Sequence, residues 1–409
     1  MRPSLNRVQA ALRQAAWRTA LALGLLSVAV TALVTRPAVG QDRNFAGSVQ
    51  SSYLYVYDQE KDKDAAGKSQ QVRKRAFDGF TTELSAKLAV DFDKHISTNV
   101  KLCYGCHGFE IDMAYVDLTV VDELRFRAGR FNPSFGEFPV RHDPANHRTV
   151  DKPLPYDMGR MIRMQEYNLG VLPAPYIDNG LEVGGSHWFG YTFQVDYAAY
   201  AVGGLRGNND GADFDFKQSR SGNEYYVDNN SRPSGGGRFA MTLDLADAET
   251  TFTLGGSGMA GAYDPDGKLK YWVAGSDFYA RIKTFELRAE YLVRRTEMSL
   301  GTDPMTRFKY GPKANGKFDR YMLKDGFYVE ALLPVLPRLE LVGRWDGLRR
   351  FGNVLDTSQL SKSSTVYRYT VGADISVGFG VRVKFDVEYY DFNDFHDELA
   401  GTLGVAAVL

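Results

Sequence analysis

From Val381 to Tyr389 the chain alternates without a break. Val381, Val383, Phe385, Val387 and Tyr389 are apolar, and Arg382, Lys384, Asp386 and Glu388 between them are charged. Side chains on a strand point to opposite faces in turn, so this spacing predicts a strand with one apolar and one charged face. The period recurs. Phe285, Leu287, Ala289, Tyr291 and Val293 alternate with Glu286, Arg288, Glu290 and Arg294. Leu339, Leu341 and Trp345 alternate with Arg338, Glu340, Arg344 and Asp346. Tyr191, Phe193, Val195 and Tyr197 alternate with Thr192, Gln194 and Asp196. A single strand of this kind suits a soluble sandwich as well as a membrane wall. Each stretch, however, is about 10 residues long, the length a tilted strand needs to cross hydrocarbon.

The pattern predicts roughly 16 strands. They fall at about 45–57, 78–92, 97–103, 110–119, 124–131, 179–188, 191–203 and 236–245 in the first half. The second half holds 249–261, 269–281, 284–295, 324–333, 338–348, 366–376, 381–392 and 402–409. Short connections such as 189–190, 246–249, 334–337 and 377–380 alternate with long ones at 58–77, 132–178, 204–235, 296–323 and 349–365. An even strand count with both ends in the periplasm puts every long connection outside, which a soluble sandwich has no reason to do. The expected fold is therefore all-β: a transmembrane antiparallel up-and-down β-barrel with short periplasmic turns and long extracellular loops.

The first forty residues follow another pattern. Arg2, Arg7, Arg13 and Arg18 precede an uncharged run from Ala20 to Val34, and Ala38, Val39 and Gly40 form a small-residue site before Gln41. Basic start, short apolar stretch and small-residue site describe a cleaved signal peptide at 1–40, leaving 41–409 as the barrel. The apolar run is shorter than the ~20 residues a membrane helix needs. Export of a barrel of this kind leads to a Gram-negative outer membrane, with lipid as its surroundings. A formal net charge of −1 gives no general attraction to nucleic acid.

Two cysteines occur in 409 residues, and they stand three apart with a histidine next: Cys103, Cys106 and His107, in CYGCH. That is the attachment signature of c-type haem. Two thiols add across the two vinyl groups of one covalent haem, and the adjacent imidazole becomes an axial iron ligand. The competing reading is a Cys103–Cys106 disulfide or redox pair in an oxidising compartment, with His107 incidental. Strand counting puts the motif in the short connection between the third and fourth strands, at the outer end. Candidates for a distal ligand are His142 and His147, Met113, and Met158, Met161 and Met164; His95 falls at the opposite end. The long connection 132–178 holds seven prolines and reads as an ordered loop that can fold inward and narrow the pore. On the plainer reading of that loop, Arg141, His142, Asp143, His147, Arg148 and Lys152 face water. Arg288, Glu290, Arg344, Arg382, Lys384 and Asp386 are expected to line the pore, as wetting and ion-selectivity groups. No nucleophile elbow, phosphate-cradling loop or metalloprotease motif is present, so an enzyme is not expected.

The segment 126–138, FRAGRFNPSFGEF, with a strand ending in Arg-x-Gly-Arg-Phe before a Pro-x-Phe-Gly loop, resembles the phosphate-selective porin group of outer-membrane channels. The resemblance implies a barrel of similar strand number, often a homotrimer, passing small anions. The charged faces here mix both signs, so phosphate selectivity is not carried over. CxxCH combined with a barrel is similar to the fused cytochrome–porins of extracellular electron transfer, although there the motif precedes the barrel. Three functions are thus expected in descending order. The first is a porin-like barrel with covalent haem, moving electrons at or across the outer membrane with a periplasmic electron carrier. The second is an ordinary diffusion porin for small solutes or ions with a Cys103–Cys106 disulfide, and the third is a surface barrel with no open pore.

Overall fold

The computed structural model describes residues 42–57, 79–105, 108–157, 170–172, 174–207, 228–297, 315–316, 321–352 and 361–408, and the backbone of 61–63 and 69–71. The expected signal peptide lies outside them. Sixteen strands close into one antiparallel barrel. They are β1 (Asp42–Val56), β4 (Gly79–Asp91), β5 (Ile96–Gly105), β6 (Gly108–Val121), β7 (Leu124–Phe131), β8 (Asp178–Phe189), β9 (Phe193–Val202) and β10 (Ser234–Leu245). The circuit continues through β11 (Thr250–Ala262), β12 (Lys270–Ile282), β13 (Phe285–Glu297), β14 (Tyr321–Leu336), β15 (Leu339–Phe351), β16 (Ser363–Gly378), β17 (Val381–Phe392) and β18 (Glu398–Val408). β1 closes it by pairing with both β4 and β18. Two short strands, β2 (Lys61–Lys63) and β3 (Ser69–Gln71), form a separate hairpin in the first long connection.

Each expected strand is present, and the two-residue period assigns its faces. On β17, Lys384, Asp386 and Glu388 are fully buried inside, while Phe385, Val387 and Tyr389 are exposed outside. The same holds around the circuit, so leucine, valine and aromatic side chains cover the outer wall. In water each such side chain left exposed forgoes roughly 1.5–3 kcal/mol of burial. A wall of them marks a surface built for an apolar surrounding.

Tight turns join strands at the end that carries both termini, and local chemistry supports them. At 379–380 Phe379 and Gly380 both take positive φ, the backbone of a two-residue hairpin turn that follows the strand twist. The long connections leave from the other end, called the loop end below. The CYGCH hairpin also turns there, since Gly105 pairs with Gly108. Cys106 and His107 lie outside the described residues.

The glycine of the Arg-x-Gly-Arg segment has a geometric reason. Gly129 has φ +130, and a Cβ placed on it would stand 2.4 Å from the Ala114 carbonyl oxygen and 2.8 Å from the Tyr115 Cα. Only a residue without a side chain permits this approach of β7 to β6. Directly after it, Phe131 ends the strand and the chain turns into the barrel.

Candidate functional site

The site is the lumen, which the connection after β7 fills from within. Its described residues 132–157, 170–172 and 174–177 contain Phe135, Phe138, Val150, Leu154, Tyr156, Val171 and Leu172, all at most 2 % exposed. A loop packed this deeply must find partners for its peptide groups, because an unpaired buried N–H or C=O is costly. Prolines at 133, 139, 144, 153, 155 and 175 remove six of the donors. Charged side chains of the wall meet many of the remaining groups.

Wall carboxylates accept from loop N–H groups. Glu182 accepts from Ser134 at 2.8 Å, Asp386 from Val150 at 2.6 Å, and Asp346 from Leu154 at 2.8 Å. Glu290 accepts from Glu137 N at 3.1 Å and Phe138 N at 2.6 Å, and from the hydroxyls of Tyr156 and Tyr328 at 2.6 and 2.7 Å. Wall cations donate to loop carbonyls. Lys384 reaches His147 O at 2.7 Å, Arg368 reaches Lys152 O at 2.7 Å, and Arg294 reaches Val171 O at 2.7 Å. Arg344 donates to Asp151 O at 3.0 Å and to Thr149 Oγ1 at 2.6 Å.

These contacts correct the sequence expectation for four of the six residues assigned to the pore. Glu290, Arg344, Lys384 and Asp386 face the lumen, but the loop covers them to 4 % exposure or less. They hold the loop instead of wetting a channel. Arg288 and Arg382 keep more exposure, Arg288 beside Glu286 at 2.5 Å and Arg382 beside Asp374 at 2.9 Å. The water-facing reading of the loop's ionisable residues is likewise overturned for His142 and His147, which are 6 % and 2 % exposed.

The loop is therefore bound mainly to one side, against β13 to β18, and open space remains on the other. A chamber of about 370 Å³ lies between the loop and β1, β4, β5, β6 and β7, lined by Lys87, Lys101, Met113, Tyr115 and Arg127 among others. A second, of about 420 Å³, opens near the terminal end and is lined by Arg125, Ser134, Trp188, Asp196 and Arg238. A cleft of about 80 Å³ lies on the loop-end side, with Cys103, Glu83, Glu110 and Asp112 in its walls. Cleft and first chamber share Ser85, His142 and Asp143.

At that shared point the loop is latched to the wall. Lys101 Nζ stands 2.6 Å from Asp143 Oδ1, 2.9 Å from Asp112 Oδ2 and 3.0 Å from His142 Nε2. His142 Nδ1 contacts Pro139 O at 2.5 Å, so both ring nitrogens are engaged. Asp143 is pushed up by burial, but His142 and Lys101 together hold its carboxyl below the usual range. A β-bulge makes the latch, because Lys101 pairs with Met113 while Leu102 pairs with Ile111. Asp112 is the extra residue, and the slip turns both Asp112 and Met113 inward. Sequence reading missed Lys101 and Asp112. The signal was available as a break in alternation at Ile111, Asp112, Met113 and Ala114.

Cys103 and Met113 thus lie on adjacent strands with the loop's His142 against them, whereas His147 lies apart beside Phe138 and Lys384. Met158, Met161 and Met164 lie outside the described residues. The residues around Cys103 do not fit a haem within the lumen. The cleft is well below the ~300 Å³ of the smallest ligand pockets. Both His142 nitrogens are already bonded, and Cys103 to Gly105 run as extended strand.

His147 anchors the far side of the loop. Its Nδ1 bonds Thr149 O at 2.8 Å, and its buried Nε2 has no hydrogen-bond partner. Burial first, then Lys384, Lys152 and Arg344, lower its pKa well below the ordinary 6.5, while the Thr149 carbonyl opposes them. The folded loop therefore contains neutral His147. A base depressed in the folded state stabilises it above the unfolded pKa, and the contribution falls as pH drops below about 6.5. Proteolytic cleavage within 142–152 is expected to accelerate from pH 7 to pH 5. His147→Asn, which carries no titrating ring, flattens that profile; an unchanged profile in the variant would remove His147 from the account.

No family model and no curated protein sequence matches the chain. Among solved structures it is similar to OmpF of Salmonella typhi, solved with daunomycin, at 12% identity and TM-score 0.53 over 90% of this chain and 98% of that one. It is also similar to the outer-membrane channel DcaP of Acinetobacter baumannii, at 10% identity and TM-score 0.50 over 91% and 99%. A third likeness is to OmpT of Vibrio cholerae, at 9% identity and TM-score 0.50 over 91% and 99%. At these identities the likeness concerns the fold, a closed 16-strand antiparallel barrel of the outer-membrane porin type.

Proposed function

We propose that this chain is an outer-membrane diffusion channel for small hydrophilic solutes, and not a catalyst. The observation that carries the reading is the one-sided loop. Its peptide groups are clamped mainly to β13 to β18, and polar chambers are left along β1 and β4 to β9. The apolar outer wall supports residence in a membrane, and the signal peptide expected from the sequence, with both strand-bearing ends at the short-turn side, suits the Gram-negative outer membrane. The chambers' size and mixed charge favour small polar solutes or ions without selection for phosphate. A homotrimer, which the resemblance to the phosphate-selective porin group implies, belongs to the same reading.

In this reading Lys101 with Asp112, His142 and Asp143 is the narrowest point of the path. Lys101→Ala leaves two carboxylates uncompensated and frees the loop corner at 139–146. Single-channel recordings in planar bilayers are expected to show higher conductance than wild type and a shift toward cations. A wild-type barrel that inserts but carries no current would leave a surface barrel without a pore.

A second reading is favoured by one observation, the CYGCH spacing at the hairpin between β5 and β6. It assigns covalent haem to Cys103 and Cys106 with His107 on the iron, and electron exchange with a periplasmic carrier. The channel reading treats the cysteines as an oxidised pair. It predicts no haem-stained band on a denaturing gel after expression in a host that attaches c-type haem. A band that disappears with Cys103→Ala would establish the second reading.

A further inference from the structure

The outer wall near the loop end carries a cleft that the channel path does not use. It has a volume of about 450 Å³ and lies across β10 to β13, with Arg232, Lys270, Trp272, Arg295 and Glu297 around a floor that includes Ala260. Strand register shows why it is a depression. Ala201, Gly235, Ala260 and Trp272 face one another across β9 to β12 in one row. Ala199, Gly237, Gly258 and Ala274 form the next row toward the middle of the wall. Trp272 ends the first row and Arg295 pairs beside it on β13.

Three cations and one carboxylate border this apolar floor. Arg295 is held with its guanidinium carbon 4.0 Å over the Tyr321 ring, and its buried Nε has no hydrogen-bond partner. Arg232 donates to Gly267 O at 2.8 Å, and Glu297 accepts from the Lys270 backbone N at 3.1 Å. Cations on a membrane-facing wall are unfavourable unless they reach the interface or an anionic headgroup. A tryptophan beside them is the side chain suited to that depth.

We propose that this cleft binds a phosphate-bearing lipid of the outer leaflet. The headgroup phosphate lies among Lys270, Arg295 and Arg232, and an acyl chain lies along the small-residue rows. The proposal rests on the membrane reading above, and charge complementarity selects the occupant: net positive charge beside an apolar lane suits an anionic amphiphile, whereas an apolar surface of a second copy would leave the cations unanswered.

The test uses the refolded full barrel in phosphatidylcholine nanodiscs, with insertion confirmed first by its heat-dependent mobility on a denaturing gel. Failure to insert would count against the membrane reading and, with it, this site. The inserted barrel is then offered bisphosphorylated lipid A, and bound lipid is counted by native mass spectrometry after detergent release. Wild type is expected to keep one lipid A in preference to phosphatidylcholine. The Lys270→Glu/Arg295→Glu double variant is expected to lose retention by at least about tenfold, ~1.4 kcal/mol. Ala260→Trp, which fills the floor without changing charge, is expected to lose it as well. The control Arg281→Glu, at the terminal end of β12, is expected to keep it. Equal retention by the double variant, or displacement of the lipid by inorganic phosphate alone, would overturn the proposal. So would cross-linking of two barrels through Ala260→Cys in lipid A nanodiscs.

Discussion

The structure depends on how the peptide groups of one loop are satisfied inside a barrel. Residues 132–157 enter a lumen whose wall is lined by charged side chains, and neither component is stable there alone. Buried carboxylates and cations need partners, and so do the loop's N–H and C=O groups. Glu290, Asp346 and Asp386 accept from the loop while Arg344, Arg368 and Lys384 donate to it, so each solves the other's desolvation. Removing the wall partner of such a contact costs roughly 1–3 kcal/mol, since a buried peptide group is left unpaired. The described part of the loop is held by side chains of the wall in place of a ladder of its own.

The asymmetry of that clamp determines what the lumen can do. Glu290, Asp346, Asp386, Arg344, Arg368 and Lys384 on β13 to β17 are consumed by loop binding and are unavailable to solutes. The opposite wall, from β1 through β9, keeps its polar groups beside open chambers. Lys101 and the bulged Asp112 catch the loop where it crosses between the two sides, so this contact both positions the loop and narrows the path. The outer surface follows a separate logic, set by an apolar surrounding and by small residues that leave room beside Trp272 and Arg295.

Much of the fold was legible because a barrel strand has one period and two unlike surroundings. The alternation at 381–389 names the inward and outward faces of β17 correctly, residue by residue. Sorting of short and long connections placed CYGCH at the loop end. What alternation cannot show is which stretch of wall a loop will cover. Lys384 and Lys101 read alike in sequence and both are buried, yet one holds loop carbonyls and the other pairs with Asp112 and the loop's Asp143. The bulge at Asp112 leaves only a break in alternation at 111–114 as its sign, because one extra residue reverses the apparent faces beyond it. The CYGCH spacing can be read in one segment, but the small cleft beside Cys103 arises from β4, β6 and the loop. The outer cleft was unreadable for the same reason, since Arg232, Lys270 and Arg295 come from separate segments.

The central claim is that the loop seals one wall and leaves the other wet. Charged-thiol accessibility tests it most directly, using Thr119→Cys on the open side and Thr370→Cys on the sealed side, with Cys103 and Cys106 replaced by serine. A membrane-impermeant cationic thiol reagent, added while current is recorded in a bilayer, is expected to modify position 119 and change the current. Position 370, 1 % exposed in the wild-type protein, is expected to stay unmodified on the same timescale. Equal modification at both positions would mean that the loop does not cover β13 to β18, contradicting the account.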